Sequence, residues 1–170
     1  MESAFYSAEN MTVVATDLSA VTSMARMFQG ASLANPDTSG WNTITVTDMN
    51  RMFMFATVAN PDTSNWNISL VTNMVLMFSG VTLPSGSYDT LLIGFSNQSV
   101  QSNVMFDGGG SQVCSIEGMN AKNSLISSDG WVISDGGLCG EIDSVFNSGF
   151  ESLWFWSANF MYQPILIKTA

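Results

Sequence analysis

The sequence predicts an α/β solenoid of 25-residue coils, ended by degenerate C-terminal capping coils. Three observations predict it. Val21-Thr22-x-Met24-x-x-Met27-Phe28 returns as Val46-Thr47-x-Met49-x-x-Met52-Phe53 and again as Val71-Thr72-x-Met74-x-x-Met77-Phe78. Between these blocks, Asn35-Pro36-Asp37-Thr38-Ser39-x-Trp41-Asn42 recurs as Asn60-Pro61-Asp62-Thr63-Ser64-x-Trp66-Asn67. Each block with helical spacing thus alternates with a block of turn and strand character. A fixed period of this length implies stacked units, each of which buries its apolar face only against its neighbours. Proteins built this way mostly bind along a surface.

Taken in order, Met11-Thr12-Val13-Val14-Ala15 reads as a strand. Val21, Met24, Met27, Phe28 and Ala31 share one face at helical spacing and are expected to form the inward stripe of a short helix. Thr22, Thr47 and Thr72 precede the three copies as N-caps. Gly30 and Gly80 suit the helix ends, where the second copy has Phe55. Pro36 and Pro61 stop the helix, and the Asp-Thr-Ser that follows can satisfy turn backbone. Trp41 and Trp66 then enter short extended segments. One strand and one helix per repeat is the leucine-rich-repeat plan, with Met, Phe and Trp in place of Leu. Adjacent coils are expected about 5 Å apart on the strand side. Asn42 and Asn67 are expected to form an internal ladder of side chain to backbone bonds.

The period fades after Thr82, and Pro84-Ser85-Gly86-Ser87 is a break. Beyond it, Tyr88 to Phe95 and Ser115 to Ser127 read as helices. Val104-Met105-Phe106 and Trp131-Val132-Ile133 read as strands. The chain therefore divides into a repeat solenoid at 1–83 that starts mid-repeat, degenerate repeats and a cap at 84–139, and a tail at 140–170. Because Met1 and Phe5 keep the spacing of Met24 and Phe28, a fragment of a longer protein is expected.

Composition excludes several classes. The net charge is −10, with 4 basic residues against 14 acidic ones. Such a chain repels phosphate backbones, so no nucleic-acid partner is expected. It has no His, which removes the commonest general base and metal ligand. Only 11% of residues are charged, so the surface is built from Ser, Thr, Asn and Gly. Leu153 to Ile167 is apolar but interrupted by Asn159, Gln163 and Pro164, and is too short to span a bilayer.

At Val46-Thr47-Asp48-Met49-Asn50-Arg51-Met52-Phe53 and Asp62-Thr63-Ser64-Asn65-Trp66-Asn67 the chain resembles the BspA-like bacterial surface proteins, relatives of the leucine-rich repeats also found in lipoproteins. Tyr88 to Ser96, Val104 to Gly110 and Gly130 to Gly137 resemble that family's usual ending. The resemblance spans about residues 1 to 139. It implies an extracellular or surface-anchored bacterial protein used in adhesion or recognition, and it carries no catalytic residues over. Ile142 to Glu151 resembles a short C-terminal segment of many secreted proteins of Gram-negative bacteria.

The expected function is non-enzymatic recognition of a protein or glycan on a cell surface, without cofactor or metal. Candidate binding rows are Thr38, Ser39, Thr63 and Ser64, with Trp41 and Trp66. Thr rows could order water in an ice-binding face, against plain turn chemistry. The Trp pair could stack on sugar rings or pack between coils. Arg26 and Arg51, one period apart, could form a small anion site or a solvated helix face. Calcium at Asp107 and Asp135 lacks the ligand spacing it needs. A hydrolase using a carboxylate pair among Asp129, Asp135, Glu141 and Asp143 ranks last. Cys114 and Cys139 are one period apart and read as one disulfide on adjacent coils.

Overall fold

Backbone hydrogen bonds in the repeat region run between repeats, not along a helix. The computed structural model describes residues 18–140. The N–H groups of Met24, Arg26 and Phe28 donate to the carbonyls of Asp48, Asn50 and Met52, at 2.8 Å each. Those of Met49, Arg51 and Phe53 donate onward to Asn73, Val75 and Met77, at 2.8–3.0 Å. Parallel bridges join Ser23 to Asp48 and Asp48 to Asn73. The intervening N–H groups close local turns three residues back, as in Met27 to Met24, Met52 to Met49 and Met77 to Met74, each 3.2 Å.

This pattern overturns the predicted leucine-rich-repeat-like solenoid with one helix and one strand per coil. An α-helix spends each N–H on the carbonyl four residues back, and here those donors go to turns and to the neighbouring repeat. Arg26, Arg51 and Leu76 occupy one repeat position with φ of 57°, 54° and 57°. Left-handed backbone there ends any right-handed helix. The spacing misled because a run of tight turns also returns side chains to one side every three to four residues. Thr22, Thr47 and Thr72 are not N-caps, since no helix follows them, and the hydroxyls of Thr47 and Thr72 donate to the carbonyls of Thr22 and Thr47 at 3.1 and 3.2 Å. Trp41 and Trp66 close turns onto Thr38 and Thr63 at 3.1 Å and do not enter strands. Asn42 and Asn67 form no ladder across repeats: they accept from the N–H groups of Ile44 and Ser69, two residues on. Other side chains do cross repeats: those of Thr38, Thr43 and Asn50 donate forward to the carbonyls of Asp62, Asn67 and Val75, and those of Thr45, Thr47 and Thr57 donate back to the carbonyls of Val21, Thr22 and Ser32.

All regular elements of the described residues follow the clear repeats: two helices and one two-stranded parallel sheet, in the order α1 (Ser85–Ser96), β1 (Met105–Asp107), α2 (Ile116–Asp129) and β2 (Val132–Ser134). These stand where degenerate capping coils were predicted. α1 starts directly after Pro84, three residues ahead of the predicted start, and buries Tyr88, Leu91, Leu92 and Phe95 at helical spacing. α2 starts where the Ser115 hydroxyl accepts from the Gly118 N–H, at 2.9 Å. It ends at Gly130 in the left-handed conformation, φ 70°. The two helices pack on each other. β1 pairs with β2 in register, Met105 to Val132 through Asp107 to Ser134, and a bridge from Met74 to Phe106 joins β1 to the last repeat. The predicted strand Met11 to Ala15 and the segment Ile142 to Glu151 lie outside the described residues.

The core is a set of side-chain columns. Phe28, Phe53 and Phe78 stack with centroids 5.4 Å apart and planes 2–3° from parallel. Met24, Met49 and Met74, and Met27, Met52 and Met77, are buried alongside them. Beyond Phe78 the column turns edge-on to Phe106, at 90°, and Phe106 meets Phe95 of α1 and Trp131.

Candidate functional site

The predicted binding rows divide between core and surface. Thr38 and Thr63 are buried, and the Thr38 hydroxyl is turned inward to donate to the Asp62 carbonyl at 2.7 Å. Trp41 and Trp66 are also buried, 3% and 2% exposed, and stack on each other with centroids 6.2 Å apart. Neither the Thr rows nor the Trp faces meet solvent, so of the alternatives weighed for the Trp pair the placement fits packing between repeats, and it offers no exposed Thr or Trp face to ice or sugar. Ser39 is partly exposed and Ser64 is exposed.

What faces water on this side is carboxylate and amide. Asp37 and Asp62 are exposed, and each accepts at Oδ1 from the N–H two residues on, Ser39 or Ser64, at 3.0 Å. The Ser39 hydroxyl adds a 2.6 Å bond to Asp37. Bonds from the Ser39 and Ser64 side chains and N–H groups hold both carboxyls below the usual aspartate value, because they favour the charged form. Asn42 is exposed and Asn67 half-buried beside this row. The row recurs one period on, beside the Trp41–Trp66 stack with its 6.2 Å centroid spacing. Arg26 is exposed and Arg51 half-buried, both on the left-handed turn and not on a helix face.

The sulfurs of Cys114 and Cys139 are joined, with Cα atoms 5.0 Å apart. The Cys139 N–H donates to the Val113 carbonyl at 2.9 Å, and Val113 bridges to Leu138, so the crosslink lies beside a parallel backbone pair.

Sequence reasoning missed a buried polar cluster where α1, α2 and the turn after β2 meet. The Tyr88 hydroxyl of α1 donates to Asp135 Oδ2 at 2.7 Å. Lys122 Nζ of α2 lies 2.7 Å from both Asp135 oxygens. The Gly137 N–H donates to Oδ1 at 2.9 Å. The Asp135 side chain is only 3% exposed and that of Lys122 17%. Burial, then the nearby Asp135 carboxylate, pushes the Tyr88 phenol far above its usual value, so it keeps its proton. The helical spacing of Lys122 and its chain distance from Asp135 gave no signal of this pairing. A weak one was the Asp-Gly-Gly turn, read above only as a calcium candidate. Asp135 is saturated by the chain's own donors, and Asp107 accepts from the Gly109 N–H at 2.8 Å. Among the described residues no three His, Cys, Asp or Glu side chains are grouped to hold a metal ion. Of the carboxylates proposed for hydrolysis, Glu141 and Asp143 lie outside the described residues.

On the ladder side, Val75, Leu76, Met105 and Val132 line a shallow apolar hollow of about 140 Å³. Among the described residues no helix is long and apolar enough to cross a membrane. The resemblance to BspA-like surface proteins is overturned by comparison with known families, since no BspA-like or leucine-rich-repeat family matches. No curated protein and no solved structure matches the chain. The family that does match, over residues 1–119 of 170, is described as Mycoplasma protein of unknown function, DUF285; the chain belongs to that family.

Proposed function

We propose that the protein is a non-enzymatic recognition module acting at the cell surface or outside the cell, where it binds a protein or glycan through its repeat face. The observation that carries this reading is the repetition of exposed groups in rows. Asp37 with Asp62, and Ser39 with Ser64, stand one period apart on hydrogen-bonded neighbours. Identical groups on successive repeats give a partner several equal weak contacts, so affinity comes from their number. The carboxylates favour a partner with cationic or hydroxyl-rich groups, and the chain's charge of −10 steers in the same direction.

The test is capture of partners by the immobilised, oxidised full chain from bacterial and host surface extracts, followed by row substitution. Replacing Ser39 and Asp37 by Ala is expected to weaken binding in part, and adding the same changes at Ser64 and Asp62 to weaken it further by a similar factor. Abolition of binding by a single substitution on one repeat would contradict distributed recognition. So would capture that does not exceed a repeat-scrambled control.

A further inference from the structure

We infer that Arg26 and Arg51 together form a site for a single tetrahedral oxoanion, a sulfate or phosphate group. The inference uses other residues than the recognition row and does not depend on it. The two are the chain's only arginines, and they hold one repeat position. The Arg26 and Phe28 N–H groups donate to the carbonyls of Asn50 and Met52, which flank Arg51, at 2.8 Å each. Such pairing sets the two backbones about 5 Å apart. Both residues share the left-handed conformation, φ 57° and 54°. Two like charges are therefore held side by side. In a chain with 14 acidic residues they have drawn no carboxylate: among the described residues the one ion pair joins Lys122 to Asp135. The Arg51 Nε is buried without an acceptor, so that guanidinium keeps an unspent donor. An unmatched buried donor costs stability and calls for an explanation.

Backbone strain is a second, independent reason. Left-handed backbone is costly for a residue with a Cβ and free for Gly. The third copy places Leu76 there, φ 57°, so the turn itself does not require Arg. Strain and charge repulsion kept together mark a position held for what its side chain contacts. The ligand class follows from charge and shape. Two guanidiniums present two positive charges and two planar forks, each matched to a pair of oxygens. A carboxylate has only two oxygens and fills one fork. A sulfate or phosphate group has oxygens for both forks and the charge to balance them. The chain's own charge of −10 opposes a long polyanion, so the site suits one such group.

NMR of the full chain with isotope-labelled arginine tests this, because it shows only two Nε–H signals, one from each residue. Sodium sulfate, against sodium chloride at equal ionic strength, is expected to move both signals with one saturating midpoint. Inorganic phosphate is the second arm, and the lower midpoint of the two tells a sulfate ester from a phosphate group as the natural ligand. Acetate is expected to bind about tenfold more weakly or worse. Arg26→Gly suits the left-handed turn, and is expected to raise the Arg51 midpoint by about tenfold or more while the backbone spectrum is otherwise kept. Shifts no larger than those in chloride overturn the proposal and leave two solvated cations. Acetate that binds as tightly as sulfate overturns the tetrahedral assignment. Separate midpoints for the two signals, or an Arg51 midpoint unchanged in Arg26→Gly, overturn the proposal equally, because the residues then do not act as a pair.

Discussion

Phe53 is held on both faces, by Phe28 and by Phe78, with no exposed surface. Truncation to Ala removes two stacked contacts and leaves a void that parallel neighbours on fixed backbone cannot close. Phe53→Ala is expected to cost about 3–5 kcal/mol, read as a lower urea midpoint. Arg26 carries the opposite kind of stress: its side chain is exposed but its backbone is left-handed, φ 57°. Glycine adopts that conformation without steric cost, so Arg26→Gly is expected to hold or raise stability by up to about 1 kcal/mol. Asp37 and Asp62 set a pH dependence. Their folded values lie below 3.8, held there by Ser39 and Ser64. A depressed folded value means stability that is complete above the unfolded pKa and is lost as pH falls through the folded one. Acid titration of unfolding is therefore expected to show a loss beginning below about pH 4. Replacing both aspartates by Ala should flatten it.

At the scale of elements, the segments whose own residues decide their structure were legible in the sequence. α1 and α2 each bury an apolar stripe, and α2 has a Ser cap at one end and Gly130 at the other. The repeats were legible only as a list of buried positions. Met24, Met27, Phe28 and Ala31 are indeed buried, but whether they hang from a helix or from serial turns depends on where the N–H groups go. That is settled by a neighbour 25 residues away. Thr38 and Trp41 were ambiguous for a related reason. Their fixed repeat position showed that they recur together, and only the cross-repeat bond from Thr38 and the stacking of Trp41 on Trp66 show that they face inward. The polar cluster at Asp135 was illegible because its three members come from α1, α2 and a turn, and no local pattern marks their meeting. The Cys114 to Cys139 crosslink closes 25 residues containing α2 and β2. On the chain-entropy model, Cys139→Ser is expected to cost about 3–4 kcal/mol. Urea unfolding with and without reductant should show that difference in the parent chain and none in the variant.

At the scale of the whole molecule, the ladder decides what changes of length the chain can survive. The first two clear repeats hand their backbone donors to partners 24 residues on, at Met24 to Asp48, Met49 to Asn73 and the pairs beside them. An insertion or deletion of one residue inside a repeat would present the next segment with the wrong side inward, exchanging Phe and Met for Asn and Arg along the seam. Loop tips can absorb an extra residue; the laddered stretch cannot. The period therefore acts as a reading frame written in hydrogen bonds. Such a protein grows or shrinks by whole 25-residue words, and its relatives should differ in how many they contain rather than in how long each one is.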